Sequence, residues 1–179
     1  MKVFYIRKSE FLAEISRDEL EKVSDGRKYK CEEKYIEHLC GLYLIKYIAE
    51  KYYNLSDTEI ILNDKKPVFK NKDLYFSLSH SKDIVLVVLG NNNLGADVEY
   101  MTERDFAKIL THYHKSLENP TKESFYRFWT KYEAQIKLGV EPKSYFSCSL
   151  ENEYMLAVVS DECMVSDFEI IKLGIYIQC

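Results

Sequence analysis

Six consecutive apolar residues at 84–89 (IVLVVL) limit the architecture more than any other stretch of the chain. The run has strand length and β-branched composition, and it shows no polar alternation. Neither face can meet water, so it must be a strand covered on both sides. Gly90-Asn91-Asn92-Asn93 follows, rich in residues that accept positive φ, and predicts that the chain doubles back as a hairpin into a returning strand at 94–100. On that strand a period of two puts Asp97 and Glu99 on one face and Ala96, Val98 and Tyr100 on the other. The two carboxylates then stand roughly 6.5 to 7 Å apart, a spacing that a divalent cation bridges through oxygens and water. The plainer alternative is a solvated sheet face decorated with acids.

Upstream, 2–6 reads as a strand, and 9–15 and 17–23 read as short helical turns, with Ser16 and Glu19 spaced as a capping box. Residues 24–30 (SDGRKYK) form a polar, basic loop. A long core helix is predicted over 33–53 from the spacing of Ile36, Leu39, Cys40, Tyr43, Tyr47 and Ile48, with His38 on its polar face. A strand at 59–62 leads into the turn Asn63-Asp64-Lys65-Lys66-Pro67, which holds Lys66 in a proline-stiffened loop. A strand at 74–78 then runs into Ser79-His80-Ser81.

Downstream, 102–117 looks helical, with Phe106, Ile109, Leu110 and Tyr113 on one side. His112 and His114, two residues apart, point to different faces and make no joint metal site. In 125–137 (FYRFWTKYEAQIK), Phe125, Phe128, Trp129, Tyr132 and Ile136 form an apolar stripe that predicts a helix packed on a core. Glu133 sits at its edge, one turn after Trp129 and one before Lys137. Such a pair is either a solvated contact, contributing roughly 0.2–0.5 kcal/mol, or part of a site. Strands are predicted at 145–150, 154–160 and 168–177.

A formal charge of -4 and a pI near 5.7 give no long-range attraction for nucleic acid or an anionic membrane. Five cysteines without a C-x-x-C pair speak against a zinc site or a disulfide framework. The opening residues lack the apolar run of a signal peptide, and no stretch approaches a bilayer span, so the expectation is a cytoplasmic protein. No Gly/Ser linker appears, so any division near Asn92 would separate packed halves.

Together, FSLSHS at 76–81, GADVE at 95–99 and FWT-x-x-EA-x-x-K at 128–137, in this order and after a Lys66-Pro67 loop, resemble the 4'-phosphopantetheinyl transferase superfamily. The length is similar to the two-half, monomeric type represented by surfactin synthetase-activating enzymes. The resemblance implies an α+β fold of two packed pseudo-symmetric α/β halves, with the active site between them. The half at 1–92 would carry the coenzyme A phosphate contacts, and the half at 93–179 the metal and catalytic acids. The implied reaction transfers the 4'-phosphopantetheine arm of coenzyme A to a serine of an apo acyl or peptidyl carrier protein, releasing adenosine 3',5'-bisphosphate. Asp97, Glu99 and Glu133 match the acids that bind Mg2+, with Mn2+ as the alternative. Glu133 also matches the residue that takes the serine proton, and Lys137 the lysine on the pyrophosphate. Ser79 and His80 match the pair on the coenzyme A phosphates, and Lys66 the lysine near the 3'-phosphate.

Two positions depart from the pattern. Tyr132 stands where a lysine is usual, with Lys131 one place earlier, and the basic residues of the N-terminal half, Arg27, Lys28, Lys30 and Lys34, form a pool without an assigned member. Lys108, Lys115, Lys122 and Arg127 are candidates for a carrier-facing surface. A magnesium-dependent phosphohydrolase and a non-catalytic protein that binds coenzyme A or a carrier are the competing readings.

Overall fold

The structure, a computed structural model, describes residues 2–63, 66–71, 74–163 and 168–174. The chain opens with strand β1 (Lys2–Arg7), helices α1 (Lys8–Glu14) and α2 (Arg17–Glu21) and the long helix α3 (Glu32–Tyr53). A ribbon follows, β2 (Ile60–Asn63) and β3 (Lys66–Phe69), and then the antiparallel pair β4 (Tyr75–Ser81) and β5 (Ile84–Gly90). The rest comprises β6 (Leu94–Tyr100), α4 (Phe106–His112), α5 (Lys122–Leu138), the antiparallel pair β7 (Ser144–Leu150) and β8 (Tyr154–Ser160), and β9 (Glu169–Lys172).

The strands form a mixed α+β architecture with two main sheets, ordered β4-β5-β1-β9 and β6-β8-β7. Each sheet is built from a strand, then helices, then a hairpin whose second strand pairs antiparallel with the first strand. β9 departs from the order of the chain: it crosses back to pair in parallel with β1, so the first sheet is completed by a strand from beyond residue 93.

The 84–89 run explains the layering. Val85, Val87 and Leu89 enter a core with Phe4, Ile6 and the α3 residues Leu39, Leu44 and Ile48. Ile84, Leu86 and Val88 enter a second core with Val3, Leu94, Ala96, Val98, Leu156 and Val158. One strand therefore serves two cores, and each fully buried side chain contributes roughly 1.5–3 kcal/mol. On the far face of the second sheet, Ala134 and Leu138 of α5 pack on Ala157 and Val159, while Phe125 and Tyr126 pack with Phe106 and Leu110 of α4. The layers run α3, first sheet, second sheet, then α4 and α5.

Several expectations are corrected. The turn after β5 does not close a hairpin, because β5 and β6 lie in different sheets and β6 pairs with β8. Asn93 serves that crossover: its side-chain amide donates to Leu138 O at 3.1 Å, and its own carbonyl accepts from Ser160 Oγ at 3.0 Å. The helix predicted over 102–117 is confined to Phe106–His112, because Asp105 caps its start by accepting from the Lys108 amide and His114 adopts a left-handed φ of 53°. The stripe on α5 begins as expected with the buried Phe125 but is rotated beyond it, with Tyr126, Thr130, Ala134 and Leu138 buried while Ile136 is 57% exposed. The strand predicted to end at Leu78 continues through Ser81, and Lys66 opens β3 opposite Asn63 rather than sitting in a loop. Lys65, Cys179 and the end of the strand predicted over 168–177 lie outside the described residues. Among the described residues no helix is long and apolar enough to cross a membrane.

Candidate active site

β6 pairs with β8 along one edge only. On the other edge the amides of Ala96, Val98 and Tyr100 point at β4 and need partners, since a buried N–H left unpaired is costly. Period two on β4 brings Ser77, Ser79 and Ser81 to that seam. Their hydroxyls accept from the Ala96, Val98 and Tyr100 amides at 2.9, 3.3 and 3.0 Å. The middle and last hydroxyls donate onward to the acids of β6, Ser79 Oγ to Asp97 Oδ1 at 2.7 Å and Ser81 Oγ to Glu99 Oε2 at 3.0 Å. A serine ladder thus joins the two sheets and reaches both acids.

From the opposite side α5 closes on β6 at Gly95, where an added Cβ would lie 2.0 Å from the Ala134 carbonyl oxygen. That approach lets Lys137 Nζ donate to Asp97 Oδ1 at 2.8 Å and to the Ala96 carbonyl at 3.0 Å. Asp97 is 5% exposed, and its other oxygen, Oδ2, is buried with no hydrogen-bond partner. Burial first, and the charge of Asp97 second, push both the Glu99 and the Glu133 carboxyls above the usual range. Two cavities flank this point. Glu99 and Glu133 line one of about 460 Å³ with Arg104, Tyr113 and Trp129, whereas Lys137, one turn further along α5, lines another of about 510 Å³ with Lys66, Phe76 and Leu78.

Among the described residues no three His, Cys, Asp or Glu side chains converge closely enough to hold a metal ion by themselves. The donor chemistry nevertheless fits a hard cation, because a carboxylate oxygen is buried without a partner and two neighbouring carboxyls are disfavoured as anions. Magnesium keeps several waters and needs only one or two carboxylates. Asp97 with Glu99 or Glu133 meets that requirement.

The other sequence candidates divide. Lys66 Nζ is turned into the second cavity's wall, donating to Asn93 Oδ1 at 2.7 Å and Leu94 O at 3.3 Å, and burial lowers its pKa. Ser79 and His80 point to opposite faces of β4. The Ser79 hydroxyl is buried against Asp97, while His80 Nδ1 lies 3.6 Å from Glu37 Oε2. Glu37 is 5% exposed and accepts from Lys8 at 3.0 Å and Lys34 at 2.7 Å. Of the basic pool, Lys34 is therefore placed beside His80, and Lys8 joins it unannounced, because nothing local links α1 to β4. His80 is held below its usual pKa by burial, with Glu37 pulling the other way.

Burial alone would raise the Glu37 pKa, but the bonds from Lys34 and Lys8 outweigh it and hold it low. A depressed carboxyl stabilises the fold above its unfolded pKa of about 4.3 and loses that contribution as pH falls through the folded value. Glu37→Gln is accordingly expected to cost about 2 kcal/mol at neutral pH and to flatten the acid limb of stability below about pH 4, as read by urea unfolding across pH.

Lys131 does not substitute for the lysine that Tyr132 displaces: its Nζ lies over the Tyr145 ring at 4.5 Å, toward β7. Lys115 lies over the Tyr132 ring at 4.4 Å. Of the carrier-facing candidates, Lys122 is paired with Glu103 and Arg127 with Glu123. His38 ties α3 to the basic loop through Asp25 at 3.0 Å.

The fold and site define a mixed α+β protein with carboxylates and a lysine at the junction of two sheets, and no family model matches the chain. The chain is similar to the 4'-phosphopantetheinyl transferase gsp of Aneurinibacillus migulanus, 27% identical over 109 residues that cover 55% of this chain and 46% of that protein. The chain thus aligns with less than half of that relative's length. The likeness supports a place in the 4'-phosphopantetheinyl transferase superfamily at low identity and partial coverage.

Proposed function

We propose that this protein transfers the 4'-phosphopantetheine arm of coenzyme A to a serine of an apo acyl or peptidyl carrier protein. The observation that carries the reading is the buried, unpartnered Asp97 Oδ2, on a carboxylate whose other oxygen is held by Lys137 and which shares a strand face with Glu99. On this reading the two sheets of like connectivity are pseudo-symmetric halves of the surfactin synthetase-activating type, and the protein acts as a monomer in the cytoplasm.

In the reaction the serine oxygen attacks the phosphorus that bears the pantetheine. The bond from that phosphorus to the bridging oxygen breaks, and adenosine 3',5'-bisphosphate leaves. Glu133 takes the serine proton, a role that suits a carboxyl raised above its usual range. Lys137, anchored on Asp97, neutralises charge on the departing phosphate. Lys66 from the second cavity, His80 from β4 and Lys34 from α3 beside it meet the nucleotide phosphates. Ser79 acts through Asp97. Mg2+ or Mn2+, held by Asp97 with Glu99 or Glu133, would supply Lewis acidity at the phosphoryl oxygens.

The test incubates the protein with coenzyme A, Mg2+ and a panel of apo carrier proteins, which are then weighed intact. A phosphopantetheine increment on a carrier is expected, and it should vanish in Glu133→Ala while the fold persists. Phosphate release without an increment would favour a hydrolase. Coenzyme A binding with neither would favour a non-catalytic carrier partner.

A further inference from the structure

The ladder on β4 performs more than a structural task. Resting on the metal part of the proposed function, we infer that Ser79 and Ser81 are positioning residues that commit one oxygen of each β6 acid, leaving single oxygens for a small octahedral cation. Asp97 Oδ1 is taken by Ser79 Oγ at 2.7 Å and by Lys137 Nζ at 2.8 Å, and the oxygen that remains, Oδ2, is the buried one without a partner. Glu99 Oε2 is taken in the same way by Ser81 Oγ at 3.0 Å.

Each serine is itself immobilised by the strand it serves, because Ser79 Oγ accepts from the Val98 amide and Ser81 Oγ from the Tyr100 amide. Each β6 acid is thereby clamped through a neighbouring strand onto the backbone of its own strand. A clamped carboxylate cannot swing to offer both oxygens to one ion. Calcium takes six to eight oxygens and readily uses bidentate carboxylates, whereas magnesium and manganese are served by single oxygens in an octahedron. The clamp therefore sets both affinity and ion preference, as hydrogen-bonded partners of metal ligands commonly do.

The protein carries its own control. Ser77 accepts from the Ala96 amide in the same ladder, but Gly95 offers no carboxylate, and the Ser77 hydroxyl faces only the Ala96 carbonyl at 3.5 Å. A purely structural ladder predicts equal consequences from all three serines; a positioning role separates them.

The experiment measures Mn2+ binding to the full chain by electron paramagnetic resonance of the free ion, without coenzyme A, with Mg2+ and Ca2+ as competitors. Ser79→Ala and Ser81→Ala are each expected to weaken Mn2+ about tenfold and to shift competition in favour of Ca2+. Ser81→Thr keeps the hydroxyl and should bind as the wild type does. Ser77→Ala should lose thermal stability like the other two while keeping wild-type Mn2+ affinity. Should either alanine variant fail to fold, its partner and the Ser81→Thr comparison carry the same contrast. Unchanged Mn2+ affinity in Ser79→Ala and Ser81→Ala, or an equal loss in Ser77→Ala, would overturn the inference and leave the transferase reading standing. A wild-type chain that binds no Mn2+ would overturn both this inference and the metal part of the proposed function.

Discussion

Gly95→Ala is expected to cost roughly 3 kcal/mol of stability and to reduce turnover by about two orders of magnitude. The new methyl carbon would sit 2.0 Å from the Ala134 carbonyl oxygen and 2.8 Å from the Leu138 amide nitrogen. Both are backbone atoms of a continuous helix, so no side chain can move aside, and α5 must lift from β6 as a unit. Glu133 and Lys137 travel with it. The Lys137 contact to Asp97, 2.8 Å in the wild type, cannot survive a displacement of an ångström or more.

Gly41→Ala is the informative comparison. Its methyl would meet Leu78 Cδ2 at 2.6 Å, the free end of a side chain that can rotate, and alanine gains up to about 1 kcal/mol of helix propensity inside α3. The two glycines are equally buried in appearance yet should differ by several degrees in melting temperature. A Gly95→Ala protein as stable as wild type would show that α5 does not approach β6 this closely.

Which parts of this arrangement could be read from the residues alone follows a physical rule. The 84–89 run announced its two-sided burial because composition on both faces of a strand is a local property. Asp97 and Glu99 shared a face for the same reason, and Glu133 and Lys137 were placed one turn apart by helix geometry. The departure of β6 into a second sheet was not legible, because Gly90 to Asn93 has the turn chemistry of a hairpin and of a crossover alike, and the partner strand β8 lies some sixty residues away. The rotation of α5 was hidden by chemistry. Beyond Phe125 and Tyr126 its buried face holds Thr130 and Ala134, small residues that permit close approach opposite Gly95 but give little hydrophobic signal, while Phe128 and Tyr132 stack on one another at its margin. The alternation of Ser77, Ser79 and Ser81 was visible as a period of two. Its meaning depended on a strand edge that only the tertiary fold supplies, as did the meeting of Lys8, Lys34 and His80 around Glu37.

Asp97→Asn should separate stability from turnover, which no packing variant does. The amide is nearly isosteric with the carboxylate. Its oxygen can stay with Ser79 and Lys137, which are both donors, and its NH2 then takes the place of the buried Oδ2. Two effects of similar size oppose each other in the metal-free protein. The half-exposed Lys137 loses a counter-charge, but an unpaired anionic oxygen and part of the repulsion felt by Glu99 and Glu133 disappear. Stability should stay within about 1 kcal/mol of wild type. Turnover should fall about a thousandfold, because a donor now points where the cation needs an acceptor and Lys137 has lost the charge that anchors it. The pH response supplies an independent reading. Glu99 and Glu133 are raised in the folded state, so the folded chain holds their protons to higher pH than the unfolded chain does. Their contribution therefore weakens folding as pH rises from about 4.3 through the folded values and is relieved on acidification. Metal-free wild type should gain stability from these two groups as pH falls from neutral toward about 4.3, and Asp97→Asn should gain less, because the charge of Asp97 is one cause of both shifts. A variant that melts early but retains its turnover would place the reactive centre away from Asp97.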